Sequence, residues 1–312
     1  MTCVAQEIQP QSDVLQSVAL LIPGIGIAYS KALEQIKDDH LFQTRCKEAG
    51  IEDFGKADTG ILSDYERFLR DTLENQKISY IVNCSMCDIY RKRGINTKFV
   101  VGYSMGIYAA LYSGGYYSFE TGLHIVEKAF HLVKDFCSSK PEKYGMGLIL
   151  GLKADEIDEF LFKRIGEGVD IAVYNGKRNF VISGEKEKLN FCLEKALQAG
   201  AFVARPILTE HPYHNGFLKG ISHDFSVFLN ALNYTTPFCG AVSLVDGDII
   251  SEKGAADAIV KAIYTPLHFD MVVDMLANCH NIVSCYETGP FQSMKKLVRY
   301  INKKIKVHPF KR

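Results

Sequence analysis

The sequence lacks a net charge. Its 36 Lys and Arg balance 36 Asp and Glu over 312 residues, which excludes a protein that coats phosphates across a broad cationic surface. A secretory leader pattern is missing as well, because the first 18 residues hold neither a basic stretch nor an unbroken apolar run. The most apolar early segment, Val18 to Tyr29, is interrupted by Pro23, Gly24 and Gly26 and cannot be a membrane span. No disulfide framework is evident among nine cysteines, an odd count. The CxxC of Cys84 and Cys87 has no second pair to complete a zinc site, so free thiols packed in a helix and a cytoplasmic location are expected. There is no internal repeat and no low-complexity tract. What remains, 47% hydrophobic and 23% charged, is an ordinary globular chain long enough for one large domain or two.

The zero net charge conceals an uneven distribution. Eight of the Lys and Arg fall within residues 295–312, which contain no acid, so the first 294 residues carry 28 basic against 36 acidic groups. A solvated C-terminal helix with a frayed end is the expectation for such a run.

Several segments have a clear local pattern. Val18–Ile22 is a continuous apolar run stopped by Pro-Gly, as in a buried strand feeding a tight turn. Ile78–Tyr90 is predicted helical and Phe99–Gly102 a second buried strand. Ser118 is positioned to cap a helix whose apolar residues Phe119, Leu123, Val126, Phe130 and Val133 recur at spacings of four and three. From about 140 to 206 the order changes. Strand Met146–Leu152, helix Ala154–Arg164, a hairpin of Ile171–Tyr174 and Asn179–Ser183 about Asn175-Gly176, helix Glu185–Gln198 and strand Phe202–Ile207 follow one another. That βαββαβ order is the ferredoxin-like unit, here a small domain inserted into a larger one.

The sharpest chemical signal is Gly102-Tyr103-Ser104-Met105-Gly106, set between an apolar strand and a helix. Its glycines permit a strained strand-to-helix turn that exposes the serine hydroxyl, while helix-terminal N–H groups face an oxyanion. Gly24-Ile25-Gly26 follows the first strand and can add a second backbone N–H. It is a poor dinucleotide fingerprint, since Tyr29 replaces the third glycine and no acid is suitably placed downstream. Nine histidines could serve as base. Those of His211-Pro212-Tyr213-His214 lie in a loop after the last strand of the inserted unit, where a side chain can point across a cleft.

Taken together, these residues resemble the malonyl-CoA:acyl-carrier-protein transacylase family, which includes polyketide synthase acyltransferase domains. Ile22-Pro23-Gly24-Ile25-Gly26-Ile27-Ala28 is similar to the family's Phe-Pro-Gly-Gln-Gly-Ser-Gln, and Gly102–Ile107 to its Gly-His-Ser-x-Gly-Glu elbow. His214 falls on the histidine that closes its His-Ala-Phe-His tetrad, and Asn175 on its asparagine in the inserted hairpin. Thr265-Pro266-Leu267-His268 resembles Asn-Pro-Val-Gln, and Glu287-Thr288-Gly289-Pro290 resembles Glu-Val-Gly-Pro. The likeness runs from about Val18 to Arg299.

It implies an α/β-hydrolase-like catalytic domain with a parallel sheet, spanning 18–139 and 207–312, and a ferredoxin-like small domain at 140–206. Residues 1–17 are expected to be flexible. Ser104 would be the nucleophile and His214 the base, with backbone N–H groups of Ile25 and Met105 as the oxyanion hole. The carbonyl of His268 would orient the imidazole. Tyr103, Ile107, Ala129, Asn175 and His211 would line the substrate pocket. The implied partners are an acyl carrier protein, through its phosphopantetheine arm, and acyl-CoA. Neither nucleic acid nor membrane is implied, nor any cofactor or metal, and a monomer is expected. The basic terminus gains a second reading, a patch for the phosphopantetheine phosphate and an acidic carrier surface.

The departures from the family pattern concern charge and polarity. The family's carboxylate-binding arginine falls on Ala129, and the adjacent Lys128 is turned about 100° around the helix. Alanine cannot make the bidentate pair that arginine makes with a carboxylate. The family's His, Glu and Gln become Tyr103, Ile107 and Ile25. A non-carboxylated acyl group is therefore the expected substrate, although His211-Pro-Tyr-His214 has the form seen in malonyl-type domains. Acyl transfer between thioesters is one expectation. A trans-acting hydrolase that clears acyl groups from carrier proteins is an alternative, as is a catalytically silent carrier-binding relative. A lipase-like triad would instead need Asp246 with His268 or His280.

Overall fold

The computed structural model describes residues 17–26, 30–51, 69–164, 166–289 and 292–311. The expected flexible N-terminus, except for Ser17, lies outside them, as do Ile27, Ala28, Tyr29, Pro290 and Arg312. Ten strands form two five-stranded sheets. They are β1 (Val18–Ile22), β2 (Thr97–Gly102), β3 (Tyr144–Leu150), β4 (Val169–Tyr174), β5 (Asn179–Glu185), β6 (Val203–Ile207), β7 (Gly240–Val242), β8 (Leu267–His268), β9 (Ser284–Glu287) and β10 (Lys306–Pro309).

The large sheet runs β10-β9-β1-β2-β7 and is parallel throughout. Its central strands are buried on both faces, which explains why Val18–Ile22 and Phe99–Val101 read as unbroken apolar runs rather than alternating ones. Ile22 pairs with Gly102, so the loops leaving β1 and β2 emerge side by side at the carboxyl edge. Ligand sites in open parallel sheets form at that edge.

The second sheet runs β6-β3-β5-β4-β8. Its first four strands are mutually antiparallel neighbours in ferredoxin-like order, flanked by helices Ala154–Arg164 and Lys186–Gln198. The fifth, β8, arrives from much later in the chain and pairs parallel with β4. The alternation of a half-covered sheet gives its two faces different duties. Phe180, Ile182, Ile149 and Ile171 pack with Leu189 and Leu193 into a separate small core. Val181, Val173 and Met146 face the other way, into the main core.

Ser118 caps the helix Phe119–Ser138 by accepting from the Thr121 N–H at 3.2 Å. Cys84 and Cys87 are buried in the helix Leu73–Lys92 as unpaired thiols. Burial raises the Cys84 thiol well above its ordinary range and pushes that of Cys87 up to about 12. The basic terminus is the main correction. The helix Ser293–Ile301 does form, but the residues beyond it do not fray; Lys306–Pro309 pairs with β9 as the sheet's edge strand. Ile305, Val307 and Phe310 are buried while Lys306 is exposed. An edge strand carrying lysine and proline resists pairing with a further strand.

Candidate active site

The turn after β2 is set by close backbone approach. A Cβ on Gly102 would lie 2.4 Å from the backbone of Gly106 and Ile107, and one on Gly106 would lie 2.4 Å from the Ile22 carbonyl oxygen. Only glycine fits either position. Between them Ser104 is held at φ 53°, in the left-handed region that non-glycine residues seldom occupy. This strained corner lifts the hydroxyl out of the sheet at the start of the helix Gly106–Gly114.

Ser104 Oγ lies 2.8 Å from His214 Nε2. His214 itself is left-handed, at φ 60°. Its N–H donates to the Ile263 carbonyl at 2.7 Å. The next residue, Asn215, donates from Nδ2 to the Ser183 carbonyl on β5 and accepts the Phe217 N–H, which fixes the loop from both sides.

The carbonyl that orients the imidazole belongs to Ala262, not to His268. Nδ1 of His214 lies 2.5 Å from Ala262 O. The reason is local. Ala262 sits in the last turn of the helix Ala255–Tyr264, and its regular partner would be the N–H of residue 266. That residue is Pro266, which has none, and Thr265 before it is extended. The Ala262 carbonyl is thereby released to the histidine. His268 instead donates its backbone N–H to Leu244 O, and its ring stacks on Tyr174. No lipase-like triad forms either, since His214 occupies the serine hydroxyl and His280 packs against Phe99.

With Nδ1–H donating to a carbonyl, Nε2 is the acceptor for the serine proton. Burial pushes the imidazole down to about 4, with the Ala262 hydrogen bond opposing the fall. The ring is therefore a neutral base across the physiological range.

Ile25 and Met105, whose backbone N–H groups are the expected oxyanion donors, both line the cavity beside Ser104. Gly24 lets the two loops meet, because a Cβ there would stand 2.8 Å from the Tyr103 carbonyl oxygen and 3.1 Å from Ser104 Cβ. Behind them is a buried polar residue that no motif marks. Asn83 donates to Pro23 O at 3.2 Å and accepts from Thr288 Oγ1 at 2.8 Å, tying the loop after β1 to the loop after β9. Its only signal is an amide among the mostly apolar residues of Ile78–Tyr90, where Ser79, Ser85 and Asp88 are also polar.

The cavity beside Ser104 has a volume of about 120 Å³. Tyr103, Ile107 and Ala129 line it, together with Phe130 and the inward-facing Val173 and Val181 of the small sheet. No Lys, Arg, Asp or Glu lines it among the described residues. Asn175 and His211 do not line it. Asn175 lies behind the Tyr103 hydroxyl, whose phenol burial raises to about 12 against the effect of that amide. His211 is buried but turned away from the cavity, with Nδ1 2.8 Å from Asp71 Oδ2. Asp71 also accepts from Thr209 and Gln76, at 2.9 and 2.8 Å. Burial opposes its charge, but these hydrogen bonds prevail and hold the carboxyl below its ordinary range. No group of three or more His, Cys, Asp or Glu able to hold a metal occurs among the described residues.

The cavity and dyad can be compared with known proteins. The malonyl CoA-acyl carrier protein transacylase of Staphylococcus aureus (strain MRSA252) is 25% identical over 299 residues, covering 94% of this chain and 95% of its own. That of Bacillus subtilis (strain 168) is 25% identical over 239 residues, covering 75% and 74%. Over most of its length this chain is similar to the malonyl transacylases. Among solved structures, a malonyl-transacylase in complex with its type II polyketide synthase acyl-carrier protein superposes with a TM-score of 0.83 at 22% identity, covering 94% of this chain and 96% of its own. An acyl-carrier-protein S-malonyltransferase from Burkholderia pseudomallei 1710b gives 0.82, also at 22%, covering 94% and 95%. These two superpositions establish the transacylase fold. No family model matches the chain. Among the described residues no helix is long and apolar enough to cross a membrane.

Proposed function

We propose that this chain is an acyltransferase that moves a non-carboxylated acyl group between coenzyme A or carrier-protein thioesters through an ester on Ser104. The homologous transacylases named above act on an acyl carrier protein, and one solved relative is bound to one. The observation that carries the reading is the pairing of a Ser104–His214–Ala262 relay with a cavity lined by Ala129 and, among the described residues, by no charged side chain.

The chemistry follows from these groups. His214 Nε2 removes the Ser104 proton as Oγ attacks the thioester carbonyl. The N–H groups of Ile25 and Met105 receive the developing oxyanion. Collapse breaks the C–S bond, and the departing thiolate takes the proton from His214. A second thiol then gives its proton to His214 and attacks the ester carbonyl, and as the C–Oγ bond breaks His214 returns that proton to Ser104 Oγ.

No carboxylate assists, and helix ends take its place. The amino end of Gly106–Gly114 lies at the oxyanion and the carboxyl end of Ala255–Tyr264 at the imidazolium. Each end carries roughly half an elementary charge of the sign that the opposing ion needs.

The test is to incubate the protein with acetyl-pantetheine thioester and a thiol-bearing carrier protein, following both proteins by intact mass. The expected result is an acetyl adduct on Ser104 followed by acetylated carrier protein. Acetate released without acetylated carrier would instead establish a hydrolase. Absence of any adduct would refute the acyl-enzyme.

A further inference from the structure

We propose that Phe130 is the end wall of the acyl cavity and sets the length of the chain that Ser104 accepts. The inference rests on the acyl-enzyme reading above and adds its size limit. Among the described residues, Phe130 alone lines both the cavity beside Ser104 and a second cleft, of about 710 Å³. That cleft opens on the far side of the ring and is bordered by Leu73, Cys137 and Tyr144 as well as Lys134 and Lys143. One aromatic side chain thus separates a small apolar chamber from a much larger space.

The wall is braced. Phe130 is 7% exposed, and its ring meets that of His211 edge to face with centroids 5.9 Å apart. His211 is in turn fixed by the buried Asp71, which is held by Gln76 and Thr209. A ring backed by a satisfied buried hydrogen-bond network has little room to swing aside. The chamber it closes measures about 120 Å³. Apolar cavities of about 150 Å³ accept benzene, so this one takes a chain of roughly four carbons.

Neighbouring Ala129 leaves the chamber without a cation, and Phe130 leaves it short. A short, uncharged acyl group fits both. Replacing the ring by a methyl group would join the chamber to the cleft and remove the limit.

The experiment compares the initial rate of Ser104 acylation, by intact mass, with acetyl-, butyryl-, hexanoyl-, octanoyl- and dodecanoyl-pantetheine thioesters. In the unaltered protein, loading should fall by about a hundredfold between butyryl and octanoyl, as apolar pockets discriminate by added methylenes. Phe130→Ala should load octanoyl and dodecanoyl within a few fold of butyryl. Phe130→Leu, a milder change if the alanine variant fails to fold, should move the cutoff from butyryl towards octanoyl. An unchanged length profile in a folded variant overturns this inference while leaving the acyl-enzyme standing. Dodecanoyl loading as fast as butyryl in the unaltered protein does the same. No adduct from any thioester overturns both.

Discussion

The two ends of the cavity beside Ser104 are built from different materials. At the Ser104 end the two reacting side chains, Ser104 and His214, are positioned by backbone: the Ala262 carbonyl, and glycines whose lack of Cβ lets the loops after β1 and β2 meet. At the far end they are side chains, namely Ala129, Phe130 and the inward residues of the small sheet. The difference explains which departures the molecule tolerates. Side-chain changes at Ile25, Tyr103 and Ile107 leave the backbone atoms of those loops available, whereas a single side chain at 129 or 130 is expected to change what the cavity can hold.

The comparison can be broken from its catalytic end first. Ser104→Ala should reduce acylation by at least about 10⁴-fold while leaving thermal stability nearly unchanged. Next comes the opposite end. Ala129→Arg should raise malonyl loading by about a hundredfold, the worth of a charged hydrogen bond in a desolvated site, and lower butyryl loading. A smaller effect is expected where only backbone placement is disturbed. Gly24→Ala should push Ile25 away from Met105 and cost about tenfold or more in kcat with little change in KM, since one oxyanion donor is displaced. The smallest change should come from pH. His214 must be neutral to act, and burial holds it at about 4 rather than the ordinary 6.5. Acylation should therefore stay level from neutrality to mild acidity and fall only as pH passes through about 4; a midpoint near the ordinary value would show that the ring is not buried as described.

Much of the backbone end was legible in the sequence, and the far end only partly. Gly102 and Gly106 flank a serine after an apolar strand, and that spacing is a direct record of the close approach they permit. The βαββαβ order announced the small sheet, but not that Leu267–His268 would extend it, because a two-residue strand has no periodicity of its own. The Ala262 carbonyl was missed in favour of His268, although Pro266 marked it: a proline releases the carbonyl four residues earlier. Phe130 was counted only as part of a helix face. Its position between two cavities depends on His211 and Asp71, which are distant in sequence and carry no shared pattern. Charge dominated the reading of the C-terminus, where alternation of buried Ile305 and Val307 with exposed Lys306 was the better signal of a strand.

The central claim is that a catalytic dyad positioned by backbone serves an uncharged pocket. Its most direct test is competition: the protein is offered equal concentrations of malonyl- and butyryl-pantetheine thioesters, and the first adducts on Ser104 are weighed by intact mass. The account predicts a butyryl adduct in large excess over malonyl. A predominant malonyl adduct would contradict it.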